Sequence, residues 1–239
     1  MRLESGRFQL TAITPPQSPK DFITIYIEGD GRNWRGGRAP ADPTPLNSPV
    51  LSLSRLDARG DAIYLARPCQ FLTAEELTRC SSLYWSSRRY GPEVVEAYDR
   101  ALDTLKTRYH ARSIDLIGYS GGGTLAVLLA ARRTDVHSLI TIAGLLDHIA
   151  WTTLHDISPL KGSLNPIDVA TQIAGIPQLH FIGGDDKVIP LSQAKNFITA
   201  MGSRHKAWLQ VVDGYGHSCC WSEAWQQKLK EARHLIAQH

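Results

Sequence analysis

Short apolar segments alternate with longer amphipathic segments along this chain. The apolar segments in the middle are almost continuous in Val, Ile and Leu, as expected for strands that are covered on both faces. The predicted strands are residues 8–13, 22–27, 61–66, 113–118, 138–143, 178–182 and 207–212. Because helical patterns separate these strands, the alternation predicts an α/β fold with a mostly parallel sheet flanked by helices.

The segments between the strands have the 3.6-residue period of helices. Pro92 presets the first turn of one helix, and the segment that begins at Gly121 is apolar nearly all round, which predicts a helix buried against the sheet. The predicted helices are residues 92–110, 121–133, 191–201 and 221–236. Trp221 and Trp225 are expected on one face of the last helix.

Two stretches interrupt this alternation. Residues 29–49 contain four prolines and four glycines, and loops of this length in compact domains are usually functional. Residues 148–172, before the strand at 178–182, contain apolar side chains that include Trp151 and Leu154. We predict that this second stretch is a small cap-like insertion within a single domain that spans residues 1–239.

Composition and charge narrow the class of protein. The 239 residues are 43% hydrophobic and 21% charged, with 19 glycines and 13 prolines, which excludes a disordered, collagen-like or disulfide-framework chain. The net charge is +3 without a basic stripe, so we expect no nucleic-acid partner. No window approaches the roughly 18 consecutive apolar residues of a membrane-spanning helix, so no integral membrane segment is expected.

The cysteines and the first residues leave the cellular compartment open. Cys219 and Cys220 are adjacent, which does not suit zinc, because paired zinc ligands are normally separated by about two to four residues. A bridge between Cys69 and Cys80 is geometrically reasonable, and buried reduced thiols fit equally well. The sequence starts without the apolar core of a signal peptide, so we expect a cytoplasmic protein as it stands, or a periplasmic one if an export signal was removed.

A candidate nucleophile stands where a strand meets a helix. The strand at 113–118 continues into Gly118-Tyr119-Ser120-Gly121-Gly122, which is the Gly-x-Ser-x-Gly pattern in its strand–turn–helix context. The turn is so tight that the serine is expected in a strained backbone region, with flanking glycines to avoid clashes. A glycine-rich turn without chemistry is the alternative, but the strand before it and the apolar helix after it favour a nucleophile.

A serine hydroxyl needs a base to take its proton, and the base needs an acid to hold its tautomer. In this architecture both follow the serine, each after the end of a later strand. Asp186 follows the strand at 178–182, with Asp185 as the second choice of acid, and His217 follows the strand at 207–212. The other histidines fall in polar helix ends, in strands or in the insertion, so Ser120, Asp186 and His217 are the predicted catalytic residues.

Together these motifs resemble the α/β-hydrolase superfamily, specifically a short bacterial-type serine hydrolase of the esterase, lipase and thioesterase group. The resemblance covers residues 22–237 and implies a three-layer α/β-hydrolase fold, with the insertion before the acid strand. Members commonly place the acid in a Gly-x-x-Asp-x-x-Val/Ile-Pro stretch, which this chain has at 183–190. The histidine usually follows glycines after the last strand, as His217 does here.

An oxyanion hole requires two backbone N–H groups directed at the developing negative charge. Gly121, directly after the nucleophile, is the expected first donor. The second is expected in the loop after the strand at 22–27, with Asp30 the first choice and Gly31 the second. Many family members have His-Gly in this loop, whereas this chain has Glu28-Gly29. The alternative is that this glycine-rich turn serves only to close the loop.

The resemblance implies hydrolysis of a carboxylic ester or thioester through an acyl-Ser120 intermediate, with a small-molecule ester or acyl substrate as partner. No metal or organic cofactor is expected. Trp34, Trp151 and Leu154 are predicted to contact an apolar acyl group. The alternatives are a small-peptide serine peptidase, for which Glu28 or Asp30 would bind the substrate amine, and a non-catalytic binding protein of the same fold. The acyl-chain length and the oligomeric state stay open.

Overall fold

One eight-stranded sheet organises the computed structural model, which describes residues 1–32 and 39–238. The strands are β1 (Arg2–Ser5), β2 (Phe8–Ile13), β3 (Phe22–Ile27), β4 (Ala62–Leu65), β5 (Ser113–Tyr119), β6 (Val136–Ile142), β7 (Gln178–Gly183) and β8 (Ala207–Val212). Their order in the sheet is β1-β2-β4-β3-β5-β6-β7-β8. All seven predicted strands are confirmed, with boundaries that differ by at most two residues. β1 was not predicted, because its four residues carry no strong strand pattern.

The sheet is antiparallel at one edge and parallel elsewhere. β2 pairs antiparallel with β1 and β4, whereas β4, β3, β5, β6, β7 and β8 run parallel to one another. The carboxyl ends of the six parallel strands therefore lie along one edge of the sheet. Ligands of open α/β sheets bind at this edge, so a functional site is expected there.

Helices cover both faces of the sheet within the described residues. They are α1 (Pro49–Arg55), α2 (Ala74–Leu77), α3 (Pro92–Tyr109), α4 (Gly121–Arg132), α5 (His148–Leu154), α6 (Ser192–Ala200) and α7 (Trp225–Ala237), with 3₁₀ helices at Ser82–Trp85 and Pro166–Ile173. Side chains of α3, α4 and α6 form the core on one face. Side chains of α1 and α7 form the core on the other face, so the three-layer α/β fold is confirmed.

The start of the last helix was predicted wrongly. α7 begins at Trp225, and Trp221 lies in the turn before it. The apolar spacing of Trp221 and Trp225 suits a helical face, but the indole N–H of Trp221 donates to the carbonyl oxygen of His217 at 3.0 Å. This contact belongs to the turn that follows β8. Both tryptophans are buried, which explains why the pattern alone did not separate turn from helix.

The segment 148–172 contains α5 and all but the last residue of the second 3₁₀ helix. Leu160 and Ala170 are buried in the core on the α4 face, whereas Ile149 and Leu154 are exposed on α5. This segment therefore combines a packed portion with an exposed apolar portion. Its role as a cap stays a prediction.

Two disulfides join the four cysteines. Cys69 and Cys80 are bonded across the segment that contains α2. The neighbours Cys219 and Cys220, directly after β8 and its turn, are also bonded to each other. Within the described ranges, no helix has both the length and the apolar character needed to cross a membrane.

One buried histidine is expected to make stability depend on pH. His180 in β7 is fully buried, its Nδ1 lies 2.8 Å from the Thr141 hydroxyl oxygen, and burial lowers the pKa of its imidazole to about 3. An unfolded histidine titrates near pH 6.5, so between about pH 6.5 and 3 the unfolded chain binds one proton more than the folded chain does. Stability is therefore lost as the pH falls through this window.

The test is urea unfolding of the wild type and of His180→Gln across pH 4 to 6. The wild-type free energy of unfolding should fall more steeply with decreasing pH, by about 1.4 kcal/mol per pH unit, because one proton is taken up on unfolding. Parallel slopes in the two proteins would contradict this role for His180.

Candidate active site

Ser120 lies in a strained turn between β5 and α4. Its φ of 51° and ψ of −120° are unusual for a residue with a side chain. Glycines make the turn possible: a Cβ at Gly118 would lie 2.3 Å from the carbonyl oxygen of Gly122, and one at Gly122 would lie 2.2 Å from that of Ile27. These distances are too short for any side chain, so α4 starts in direct backbone contact with the end of β3.

The structure brings Ser120, His217 and Asp186 into one hydrogen-bonded line. His217 Nε2 lies 3.1 Å from Ser120 Oγ, and His217 Nδ1 lies 2.9 Å from Asp186 Oδ2. The other oxygen of Asp186 accepts the N–H groups of Val188 and Ile189, each at 2.8 Å. These backbone bonds fix the orientation of the carboxylate, and its side chain is completely buried.

The second choice of acid has a different environment. Asp185 is exposed, whereas its neighbour Asp186 is buried. Asp185 participates in the turn through its backbone, since its N–H donates to the carbonyl oxygen of Tyr215 at 2.9 Å. The geometry therefore favours Asp186 as the partner of the imidazole.

The backbone of His217 is held by two side chains that the sequence did not single out for this role. The hydroxyl of Tyr119 and the indole N–H of Trp221 both donate to the carbonyl oxygen of His217, each at 3.0 Å. The Tyr119 ring also packs against the imidazole, with 5.3 Å between ring centroids. Burial raises the pKa of Tyr119 to about 12, which keeps its hydroxyl protonated as a donor. The position of Tyr119 directly before Ser120 is the only feature of the sequence that could have indicated this role.

The loop after β3 lies against both neighbours of Ser120. A Cβ at Gly29 would lie 3.1 Å from the Tyr119 ring, and one at Gly121 would lie 2.1 Å from the Asp30 carboxylate. The N–H groups of Gly121 and Asp30 have no acceptor among the described residues. Two donors without a partner among the described residues thus lie on the chain segments that flank the serine.

The Asp30 carboxylate is surrounded by donors. It accepts Arg67 Nη1 at 2.7 Å, Arg89 Nη1 at 2.9 Å and the Tyr90 hydroxyl at 2.6 Å. Burial by itself would raise the pKa of Asp30, but the charges of Arg89 and Arg67 outweigh it, and the pKa is lowered. The carboxylate is therefore ionised and already paired within the chain.

Glu28, which stands where a histidine is common in the superfamily, is also engaged. Its carboxylate accepts the Gly29 N–H at 2.9 Å, the Tyr64 hydroxyl at 2.9 Å and the Ser48 hydroxyl. Burial raises the pKa of this carboxyl. Internal donors therefore occupy both carboxylates, and the binding of a substrate amine by Glu28 or Asp30 stays a prediction.

Gly31 is the point at which this loop closes on itself. Its φ is +79°, and a Cβ there would lie 2.0 Å from the carbonyl oxygen of Pro43. The next residue, Arg32, donates its N–H to the same oxygen at 3.1 Å. This geometry suits the loop-closing role that was the alternative for Gly31. Trp34, the first of the predicted substrate contacts, lies outside the described residues.

The other two predicted substrate contacts lie on α5. Trp151 is half-buried, and its indole N–H donates to the carbonyl oxygen of Val188 at 2.8 Å. The Nε2 of His155 lies 2.9 Å from the same oxygen, so α5 is attached to the loop that carries Asp186. Leu154 is exposed. Trp151 thus lies against the acid loop, and the contact of Trp151 and Leu154 with a substrate stays a prediction.

Comparison with known proteins identifies the family. The model of the dienelactone hydrolase family matches residues 72–234, which is more than half of the chain. The chain belongs to the dienelactone hydrolase family. The matched region includes Ser120, Asp186 and His217, whereas the loop with Glu28 and Asp30 precedes it. Membership in a hydrolase family favours an enzyme over the non-catalytic binding protein.

Solved structures of proteins with different names share this fold. TT1662 from Thermus thermophilus is 17% identical, with a TM-score of 0.63 and coverage of 99% of this chain and 97% of that chain. Est1E from Butyrivibrio proteoclasticus, solved with ferulic acid bound, is 14% identical, with a TM-score of 0.68 and coverage of 98% and 99%. No curated protein matches the sequence.

Longer enzymes share the fold over part of their length. A puromycin hydrolase is 16% identical, with a TM-score of 0.70, and the alignment covers 100% of this chain but 38% of that one. At these identities the likeness shows the fold alone. Family and fold together make this member of the dienelactone hydrolase family a serine hydrolase of the α/β-hydrolase fold.

The contact between α4 and β3 is expected to tolerate no side chain at its closest point. Gly122→Ala should lower the free energy of unfolding by about 2 kcal/mol or more, because the new methyl group would collide with backbone atoms of β3. Gly123→Ala is the matched control in the same helix, where a Cβ would meet its nearest neighbour at 3.0 Å. Urea unfolding should show a smaller loss for Gly123→Ala. Equal stability of the two variants would contradict the packing described here.

Proposed function

We propose that this protein hydrolyses a carboxylic ester or thioester through an acyl-enzyme intermediate on Ser120. The observation that carries the proposal is the line of hydrogen-bonding atoms from Asp186 through His217 to Ser120, with separations of 2.9 Å and 3.1 Å. The strained turn exposes the serine at the carboxyl edge of the sheet, where this class of hydrolase carries its nucleophile.

In the first half of the proposed reaction, the Ser120 hydroxyl attacks the substrate carbonyl carbon and gives its proton to His217 Nε2. The N–H groups of Gly121 and Asp30 donate to the resulting oxyanion, and Gly31 is the second choice for the loop donor. The tetrahedral intermediate then collapses, and the alcohol or thiol leaves with the proton from His217. Water attacks the acyl-enzyme in the second half, again with His217 as base. These steps require no metal or cofactor.

Asp186 has two roles in this proposal. Its Oδ2 accepts the Nδ1–H of His217, which keeps Nε2 free to accept the serine proton. Its negative charge stabilises the imidazolium that forms when that proton is transferred. The N–H groups of Val188 and Ile189 hold the other oxygen, so the carboxylate does not need to reorganise during the reaction.

Ester or thioester substrates are favoured over small peptides by the environment of the acidic residues. An aminopeptidase-like site needs a carboxylate for the substrate amine, and both acidic residues of the loop after β3 are already paired with internal donors. We further propose that residues 148–172 cover the site within a single domain. Trp151 and Leu154, with Trp34, would then contact an apolar acyl group.

The direct test is labelling with a fluorophosphonate probe, followed by mass spectrometry of the modified peptide. We expect one adduct on Ser120 in the folded protein, and no adduct in Ser120→Ala or after heat unfolding, because only the folded site activates the hydroxyl. Turnover of p-nitrophenyl acyl esters is then compared with that of aminoacyl anilides. Absence of labelling would exclude the proposed nucleophile, and faster cleavage of the anilides would favour a peptidase.

The neighbouring carboxylates provide a matched pair of variants for the acid. Asp186→Asn should lower kcat by about 10³- to 10⁴-fold, because the amide holds the wrong tautomer of the imidazole. Asp185→Asn removes an exposed charge one residue away and should leave kcat within about twofold of the wild type. The rate of ester hydrolysis is measured for the wild type and for both variants. The concentration of active sites in the wild type is taken from the fraction of Ser120 that the fluorophosphonate probe labels in a parallel sample. A comparable loss of kcat in the two variants would contradict the assignment of Asp186 as the acid.

A further inference from the structure

Gln70 holds the peptide bond between Gly29 and Asp30 from one side. Its Nε2 donates to the carbonyl oxygen of Gly29 at 3.2 Å and more weakly to that of Pro43 at 3.5 Å. Its Oε1 accepts the backbone N–H of Arg67 at 3.1 Å, which fixes the orientation of the amide group. The side chain is buried, with 1% of its surface exposed. Reversing the amide would place its oxygen against two carbonyl oxygens.

Because the peptide bond is planar, the contact of Gln70 with the Gly29 oxygen also restricts the direction of the Asp30 N–H. In a trans peptide the C=O and the following N–H point in opposite directions. The structure has no cis peptide among the described residues. Because Gln70 holds the Gly29 oxygen, the Asp30 N–H is directed away from Gln70, and it has no acceptor in the described part of the chain.

The same peptide is fixed on its other side by contacts with the serine turn. Gly29 packs against the Tyr119 ring, and the Asp30 carboxylate packs against Gly121. Arg67 connects the two anchors, because its backbone N–H binds Gln70 and its guanidinium binds the Asp30 carboxylate at 2.7 Å. The Gly29–Asp30 peptide therefore has little freedom to rotate next to Ser120.

We propose that Gln70 is a positioning residue for the oxyanion hole: its amide holds the Gly29–Asp30 peptide so that the Asp30 N–H faces the substrate carbonyl oxygen. This inference rests on the proposed acyl-enzyme mechanism. Gln70 does not touch the reacting atoms. Without its donor, the peptide can rotate and direct the Gly29 oxygen towards the oxyanion, which replaces attraction with repulsion.

The experiment compares two variants of Gln70 with a matched control. Gln70→Glu keeps the shape but replaces the donor with an acceptor, and Gln70→Met removes the donor with little change in volume. We expect kcat for a p-nitrophenyl ester to fall by about 100-fold in Gln70→Glu, with KM changed by less than about threefold, because the lost interaction is made in the transition state. A smaller loss of about tenfold is expected for Gln70→Met.

Gln178 supplies the control. It is fully buried, and its Nε2 also donates to two backbone oxygens, those of Ile173 at 2.8 Å and Ile176 at 3.0 Å. It begins β7, at the amino edge of the sheet and therefore opposite the candidate site. Gln178→Met should lower the free energy of unfolding through the lost hydrogen bonds but leave kcat per folded molecule within about twofold.

A second readout separates positioning from a general loss of structure. A thionoester substrate develops its negative charge on sulfur, which accepts hydrogen bonds weakly and gains less from N–H donors. The ratio of kcat/KM for the ester to that for its thionoester should therefore fall by about tenfold in Gln70→Glu and stay unchanged in Gln178→Met. If Gln70→Glu is not recovered folded, the ratio in Gln70→Met decides.

An unchanged ratio in the folded Gln70 variants would overturn the role of Gln70, whether activity on both substrates is kept or falls by the same factor. Such a result leaves the proposed function intact as long as the wild type is labelled on Ser120. Failure of that labelling, together with full activity of Ser120→Ala, would instead overturn the mechanism itself. The two sets of measurements therefore distinguish failure of the inference from failure of the proposed function.

Discussion

The approach of α4 to the end of β3 is the contact on which the rest of the site depends. Gly122 allows the helix to begin in backbone contact with Ile27, and this contact brings the serine turn alongside the loop that contains Asp30. A side chain at this point would separate the two segments and move the N–H groups of Gly121 and Asp30 apart. The spacing of these donors is therefore set by the packing of two backbones rather than by mobile side chains.

The carboxylates of Glu28 and Asp186 are buried, that of Asp30 is half-buried, and each of the three is stabilised in a different way. Hydroxyl groups and one N–H bind Glu28, two guanidinium groups bind Asp30, and backbone N–H groups together with an imidazole bind Asp186. The positive charges of Arg89 and Arg67 lower the pKa of Asp30, and the charge of Arg67 also acts on Glu28.

Much of this arrangement follows from strand order. The ends of parallel strands share one edge, so residues that follow β5, β7 and β8 come together whatever the details of packing. This is why the serine motif and the places of Asp186 and His217 after later strands identified Ser120, Asp186 and His217 as candidates in the sequence. The strand pattern also predicted a mostly parallel sheet flanked by helices. It missed the short β1, and it assigned the turn at Trp221 to a helix.

The supporting contacts were not predictable in the same way. Tyr119 reaches the backbone of a residue 98 positions away, and Gln70 reaches a carbonyl 41 positions away. Neither contact has a periodic or spaced signature, because each depends on how loops pack after the sheet has formed. The pairing of Glu28 and Asp30 with internal donors was missed for the same reason: a sequence shows an acidic residue but not the hydroxyl or guanidinium groups that surround it.

The disulfide between Cys69 and Cys80 gives the segment around Arg67 and Gln70 a covalent boundary. Cys69 is the neighbour of Gln70, and the bridge closes a loop with a sequence separation of 11. A cross-link of this span restricts the unfolded chain and stabilises the folded one by about 3 kcal/mol in the chain-entropy model. Oxidation of the two thiols thus limits local unfolding of the segment that contains Gln70, and the rigidity of the contact between Gln70 and the Gly29 carbonyl oxygen depends on the redox state of the chain.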